Sequence, residues 1–275
     1  MIKKRNMQKK WGWLYDEMRK GVKGMEYQCG FVVFMDILGF KNYVCNESRK
    51  VDNVFSIFEF SEKIQYLYNT SDLQGVKIGF FSDSFVLTTS EKNASSFSAI
   101  MIAAHLINLY VFKNTGLCTR GAVVIGEFYH EKGIVFGPGI VKAYLLENER
   151  AKFVRMIVDD DILNIYNNSA MIQKTLDGYY ELNWFMLAIN DCVENDDYQR
   201  EKGLELAKKY RETLIELLKK HKDSSVYEKY ISLIPLFNKF CYLMDQYKNQ
   251  GGYLDLVIKD IEMNTFWGTS TINLV

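Results

Sequence analysis

The chain has 275 residues, 48% of them hydrophobic and 25% charged, which is enough to bury a large core. Basic and acidic residues number 34 each, so no overall field holds a long polyanion and no nucleic-acid partner is expected. Two prolines and no low-complexity tract exclude a disordered chain.

Five scattered cysteines (Cys29, Cys45, Cys118, Cys192 and Cys241) form no C-x-x-C pair. They point to reduced thiols in the cytoplasm and away from a disulfide framework or a zinc knuckle. His105, His130 and His221 are too widely spaced for a histidine metal site.

In chain order, the basic N-terminus lacks the apolar stretch of a signal peptide. Trp11, Leu14, Met18 and Val22 recur at helical steps, which predicts an amphipathic helix over 7–22 with a basic outer face. The run from Cys29 to Ile37 is continuously apolar up to Asp36 and reads as a buried central strand. A helix follows over 51–69, with Val51, Val54, Phe55, Phe58 and Leu67 on one stripe. Residues 74–81 and 84–90 read as strands joined in a tight hairpin at Ser82-Asp83.

Residues 94–113 form an apolar helix whose 97–112 run is short for a membrane span and carries His105 and Asn108, so it is expected in a core and no membrane partner is expected. A strand from Leu117 turns at Glu131-Lys132-Gly133 into Ile134–Phe136. A Gly-Pro-Gly then opens a helix near Ile140, and a strand over 151–159 closes the pattern. After the polar stretch at 194–197, two long helical patterns cover 201–221 and 226–247, the second with Pro235 inside it. The fold class is therefore α+β, an antiparallel-rich sheet with helices packed on it and a C-terminal helical hairpin. The divisions are an N-terminal helical arm (1–28), an α+β domain (29–193) and a helical appendage (194–275).

Asp36 ends an otherwise apolar strand, where a lone carboxylate is costly unless paired or bound to a cation. Asp83 stands at a hairpin tip between apolar strands. If the first strand lies beside that hairpin, both carboxylates emerge at one sheet edge, and Mg²⁺ or Mn²⁺ shared with substrate phosphates resolves their repulsion. The turn Ile37-Leu38-Gly39-Phe40 offers backbone N–H groups to phosphate oxygens, and Lys41 adds a positive charge there. Taken alone, the D-x-x-G string reads equally well as a capped turn.

Three blocks, Phe34-MDILGFK, Phe80-FSDSFVL, and Thr119-RGAVVIGEF with Val135-FGPGIVKAYLLEN, resemble the class III adenylyl and guanylyl cyclases. The resemblance covers about residues 29–160. It implies a sheet with helices on one side, a homodimer with its site at the interface, and metal binding by Asp36 and Asp83. It also has departures. The Asn and Arg that steady the transition state fall at Val141 and Leu145, the acidic purine reader falls near Ile134, and the purine-reading lysine falls at Gly79.

Within that family, Phe81-SDS, Arg120-GAVVIGEFYH and Arg155-MIVD are similar to the pyrimidine cyclases of the Pycsar bacterial antiphage systems. That resemblance implies conversion of UTP or CTP to cyclic UMP or cyclic CMP. Two metal ions would sit on Asp36, Asp83 and the Ile37 carbonyl, and the product would activate a separate effector. Further candidate substrate contacts carry open alternatives. Lys77 reaches the base or triphosphate, or is solvated. Tyr27 stacks on a pyrimidine or packs in the core. Arg120 and Arg155 are salt-bridged or hold phosphate. Tyr144 and Glu147 share a helix face and border a partner's pocket. Two rival readings are a non-catalytic nucleotide sensor and a polymerase palm that makes linked nucleotides.

Overall fold

A computed structural model describes residues 26–47, 51–70, 75–167, 171–175, 177–183, 185, 197–223, 227–246 and 251–259. The expected helix over 7–22, Cys192 and the boundary stretch at 194–196 lie outside these residues.

The first strand, β1 (Gln28–Ile37), is flanked on one side by the hairpin β2 (Val76–Phe81) and β3 (Ser84–Thr89), and on the other by β4 (Thr119–Glu131). Then come β6 (Met156–Val158), β8 (Tyr180–Leu182) and β7 (Ile172–Lys174), giving the order β2-β3-β1-β4-β6-β8-β7, with β5 (Ile134–Phe136) paired to β4. Among the described residues only the β4–β6 pairing is parallel. The α+β expectation therefore holds, with two strands, β7 and β8, that the sequence pattern does not announce. The expected strand over 151–159 shrinks to β6, because Ala151–Arg155 forms a loop in which Arg155 N–H bonds back to Phe153 O at 2.9 Å.

Two hairpin turns place non-glycine residues at positive φ: Ser82 at 57° in the β2–β3 turn, and Lys132 at 53° before Gly133 at 76° in the β4–β5 turn. The β4–β5 turn thus has positive φ at both central residues, as a type I′ turn needs, and the β2–β3 turn at its first central residue alone, as a type II′ turn needs; both suit the twist of the strands they join.

Strand alternation sends Phe31, Val33, Met35 and Ile37 to one face, where they are at most 2% exposed. Helices α1 (Val51–Thr70) and α2 (Ala94–Thr115) cover that face, with Phe97 edge-on to Phe31 at 5.4 Å. Helix α2 is capped at both ends. Asn93 Oδ1 accepts from Ser96 N–H at 2.8 Å, and Gly116 closes the C-terminus with its N–H on Phe112 O at 2.9 Å. Among the described residues it is the one helix long and apolar enough to cross a membrane, yet its buried residues are spent on the sheet.

Helix α3 (Pro138–Arg150) crosses the opposite face. It corrects the expectation of helices on one side. Its seat depends on two glycines: a Cβ on Gly126 would meet Gly139 Cα at 2.5 Å, so only bare backbones can come this close. Ala143, Ile140 and Leu146 then pack on Val32, Val124, Phe128 and Phe34.

The C-terminal helices are α4 (Asp197–Lys220), α5 (Tyr227–Ile231) and α6 (Leu233–Gln246). The break between α5 and α6 is explained by Pro235, whose ring collides with the carbonyl four residues back, at Ile231. The expected helical pair is present. Its Leu214, Leu217, Tyr230, Leu233 and Phe237 belong to the same apolar cluster as the sheet, so it is packed into the core rather than appended to it.

Candidate active site

The α3 face of the sheet carries the charged candidates Asp36 and Arg120. Asp36 sits opposite Ser84 on β3 and Arg120 on β4, so all three share that face. Asp83 follows at the hairpin tip, and its carbonyl accepts the Ile37 N–H at 2.9 Å, which ties the tip to the end of β1. The two aspartates therefore meet at one sheet edge. Burial raises the Asp36 pKa first, and the neighbouring Asp83 charge raises it further, against a lowering by Arg120.

Arg120 is held by ion pairs. Its Nη2 lies 3.4 Å from Asp36 Oδ2 and its Nε 2.8 Å from Glu147 Oε1, while Nη1 donates to Ala151 O at 3.3 Å. The Glu147 contact is short but poorly aligned for a hydrogen bond, and among the described residues that oxygen has no other partner. Glu147 is 2% exposed, and burial pushes its pKa up to about 7, against the pull of Arg120. Glu147 is thus turned inward against its own sheet, which corrects the expectation that it borders a partner's pocket.

The donor set fits a hard divalent cation. It offers two carboxylates in electrostatic conflict, both with oxygen donors, near the Ile37 backbone. Among the described residues no group of three or more His, Cys, Asp or Glu side chains converges, so the remaining ligands would be backbone, water and substrate phosphate.

The turn after Asp36 differs in part from expectation. Ile37 N–H is spent on Asp83 O, and Leu38 N–H on Cys118 O at 2.9 Å, so neither serves a phosphate. Gly39 has φ 82°, a left-handed conformation that reverses the chain into a short helical turn, Phe40–Asn42. Phe40 buries its ring in the core, while Lys41 is exposed.

Other candidates lie farther away. Lys77 shares the α3 face, paired across from Thr88, four residues up the strand from the Asp36 row and so roughly 13 Å away. Its Nζ donates to His130 O at 3.1 Å and makes a short contact with Glu131 Oε1, which holds the Glu131 pKa down. Tyr27 is 51% exposed and edge-on to Phe136 at 6.0 Å, so it is neither in the core nor near Asp36. Arg155 is salt-bridged to Asp177 at 2.8 Å and bonded to Arg150 O. Tyr144 is exposed on α3, with its ring edge-on to Phe34 at 5.4 Å.

One group went unassigned in the sequence. His130 is buried, with Nδ1 hydrogen-bonded to Thr88 Oγ1 at 2.8 Å, and burial lowers its pKa to about 4. Its ring occupies the space beside Gly79, where a Cβ would come within 3.2 Å of Nε2. Only strand register brings residues 79, 88 and 130 together, and no local pattern announces it.

No protein-family model matches the chain, and no curated protein matches it by sequence. Among solved structures it is similar to the adenylyl cyclase CyaB from P. aeruginosa, at 13% identity over 57% of this chain and 96% of that one, with a TM-score of 0.43. It is also similar to the monomeric guanylyl cyclase domain of the RhoGC fusion protein from the aquatic fungus Blastocladiella emersonii, at 14% identity, 57% and 96% coverage, and a TM-score of 0.43. A bacterial light-regulated adenylyl cyclase gives 13% identity, 58% and 92% coverage, and a TM-score of 0.41.

Proposed function

We propose that this protein is a pyrimidine nucleotide cyclase that converts UTP or CTP to the 3′,5′-cyclic monophosphate and pyrophosphate. Its biological role in this reading is to produce the signal of a bacterial antiviral defence system, acting in the cytoplasm on a separate effector. Residues 29–193 carry the catalysis, with 1–28 as an arm and 194–275 as the helical accessory.

The observation that carries the reading is the meeting of Asp36 and Asp83 at one sheet edge, close enough that one charge raises the pKa of the other. Mg²⁺ or Mn²⁺, two ions per site, would be held by Asp36, Asp83 and the Ile37 carbonyl; bound there, they lower the pKa of the ribose 3′-hydroxyl and neutralise phosphate charge. The 3′-oxygen attacks the α-phosphorus, the bond to the β-phosphate's bridging oxygen breaks, and the hydroxyl proton passes to solvent. Arg120, fixed between Asp36 and Glu147, holds the Asp36 carboxylate in place rather than touching phosphate.

Pyrimidine choice is supported by Gly79, which stands where the family's purine-reading lysine falls and whose neighbouring space is filled by His130. A homodimer is supported by the outer surface of α3, where Val141, Tyr144 and Leu145 are each about half exposed beside Phe34.

A second reading, a sensor that binds nucleotide without turning it over, is favoured by one observation. Val141 and Leu145 replace the transition-state pair, and Arg120 is too firmly engaged to stand in for it. Incubating the protein with each of the four nucleoside triphosphates and Mn²⁺, then analysing products by mass spectrometry, separates the two. Cyclic UMP or cyclic CMP supports the cyclase, bound but unchanged nucleotide supports the sensor, and linked dinucleotides refute both.

A further inference from the structure

The C-terminal helices reach the candidate active site from the side opposite α3. A cavity of about 270 Å³ lies between the turn that follows Asp36 and the ends of α4 and α5. Leu38, Gly39 and Asn42 form its sheet-side wall, and Lys220, His221 and Lys229 line the helical wall. Three groups able to carry positive charge thus face the segment next to the paired aspartates.

Lys229 is half-buried on the short helix α5, and its position is fixed by neighbours on both sides. Tyr230, the next residue, is 5% exposed and belongs to the main apolar cluster, while the Lys229 carbonyl accepts from Ser232 Oγ at 2.6 Å. Its charge reaches Asp36, whose pKa it lowers. Among the described residues Lys229 makes no ion pair, unlike Arg120, whose charge is already shared between Asp36 and Glu147. A half-buried lysine that lines a cleft without a carboxylate partner is a waiting electrostatic contact.

Size narrows the ligand. Pockets that enclose a whole drug-sized molecule run from roughly 300 to 1,000 Å³, so this one suits a chain of phosphates better than a complete nucleotide. Lysine binds phosphate as a mobile point charge, which fits a flexible, multiply charged tail.

We propose that this cleft seats the β- and γ-phosphates of the substrate, with Lys229 as the principal contact and Lys220 and His221 lining the same wall. The inference rests on the cyclase reading for the identity of the substrate, and it gives the C-terminal helices a role in substrate binding.

The test uses the full chain and two readouts. Calorimetry with inorganic tripolyphosphate, and separately with uridine monophosphate, measures binding to wild type, Lys229→Met and Lys229→Arg. Steady-state cyclisation then gives KM and kcat for the same three. Lys229→Met keeps the aliphatic stem and should weaken tripolyphosphate binding about tenfold, the usual order for one charge-assisted phosphate contact. It should raise KM by a similar factor and leave monophosphate binding within twofold, and Lys229→Arg should recover most of the loss.

If wild type cyclises a pyrimidine triphosphate while Lys229→Met binds tripolyphosphate and substrate as wild type does, the cleft assignment fails and the cyclase stands. If tripolyphosphate binding depends on Lys229 but no cyclic product forms, the cleft stands and the cyclase reading fails. Equal weakening of monophosphate and tripolyphosphate binding would mean a general structural effect and would also overturn the assignment.

Discussion

The same three strands, β1, β3 and β4, serve two faces built on opposite terms. On one, Phe31, Val33, Met35, Phe85, Leu87 and Val123 are completely buried under α1 and α2, and the cluster continues into the C-terminal helices. On the other, among the described residues, α3 lies over Val32, Phe34 and Val124, and the rest of that face holds Asp36, Arg120 and His130, with Glu147 reaching Arg120 from α3. The first face supplies stability from apolar burial at roughly 25 cal/mol per Å². The second gives up part of that to keep polar and charged groups half-dehydrated and close together, where the pKa values of Asp36, Glu147 and His130 move. Neighbouring residues such as Met35 and Asp36 thus have separate duties, because strand alternation turns them to opposite sides.

Breaking each face separately should separate stability from activity. The largest stability effect is expected from Met35→Ala, fully buried on the covered face, at about 2–5 kcal/mol in urea unfolding, with turnover per folded molecule unchanged. If turnover per folded molecule fell with it, the two faces would not be independent.

On the open face, Leu145→Glu puts a charge on the exposed outer side of α3, where it costs the monomer little. If this side is the homodimer contact, the dissociation constant measured by analytical ultracentrifugation should rise roughly a hundredfold, or about 2.7 kcal/mol. An unchanged sedimentation profile would move the dimer contact elsewhere.

Acid should weaken the fold through its buried histidines. His105 and His130 both have pKa values lowered to about 4 by burial, below the usual 6.5. A depressed histidine leaves the fold fully stable above pH 6.5 and weakens it as pH falls from there toward 4, by about 1.4 kcal/mol per unit for each group. Glu147, raised to about 7, works the other way, since the cost of its buried charge disappears as pH falls from 7 toward 4.5. The sum is a net loss of about 1.4 kcal/mol per unit between pH 6 and 5, read from urea midpoints. His130→Gln should flatten that slope, and a slope unaffected by it would mean that His130 is not held neutral by the fold.

The smallest effect is expected far from either face. The exposed Glu59–Lys63 pair on α1, at 3.0 Å, should contribute about 0.3–0.5 kcal/mol and vanish in high salt.

Much of this architecture was legible in the sequence because it is written locally. The apolar run ending at Asp36, the Ser82-Asp83 hairpin and the apolar helix over 94–113 each carry their signal within a few residues, and they set the sheet order that brings Asp36 to Asp83. Strands β7 and β8 were not legible, because three residues each, with Gln173, Lys174 and Glu181 among them, are too short to show alternation. The engagement of Arg120 was also out of reach, since it lies 84 residues from Asp36 and its two acidic partners come from different elements. The helical break before Pro235 was half legible: the proline predicts it, but the docking that brings Lys229 within electrostatic reach of Asp36 is decided by tertiary packing.

The paired aspartates are tested most directly by measuring pyrophosphate release from UTP and CTP with Mn²⁺, for wild type and for Asp83→Asn. Wild type should release pyrophosphate and the variant should do so about 10³-fold more slowly, equivalent to about 4 kcal/mol, with no loss of thermal stability because a repulsion at Asp36 has been removed. Release by Asp83→Asn at the wild-type rate would contradict the pairing.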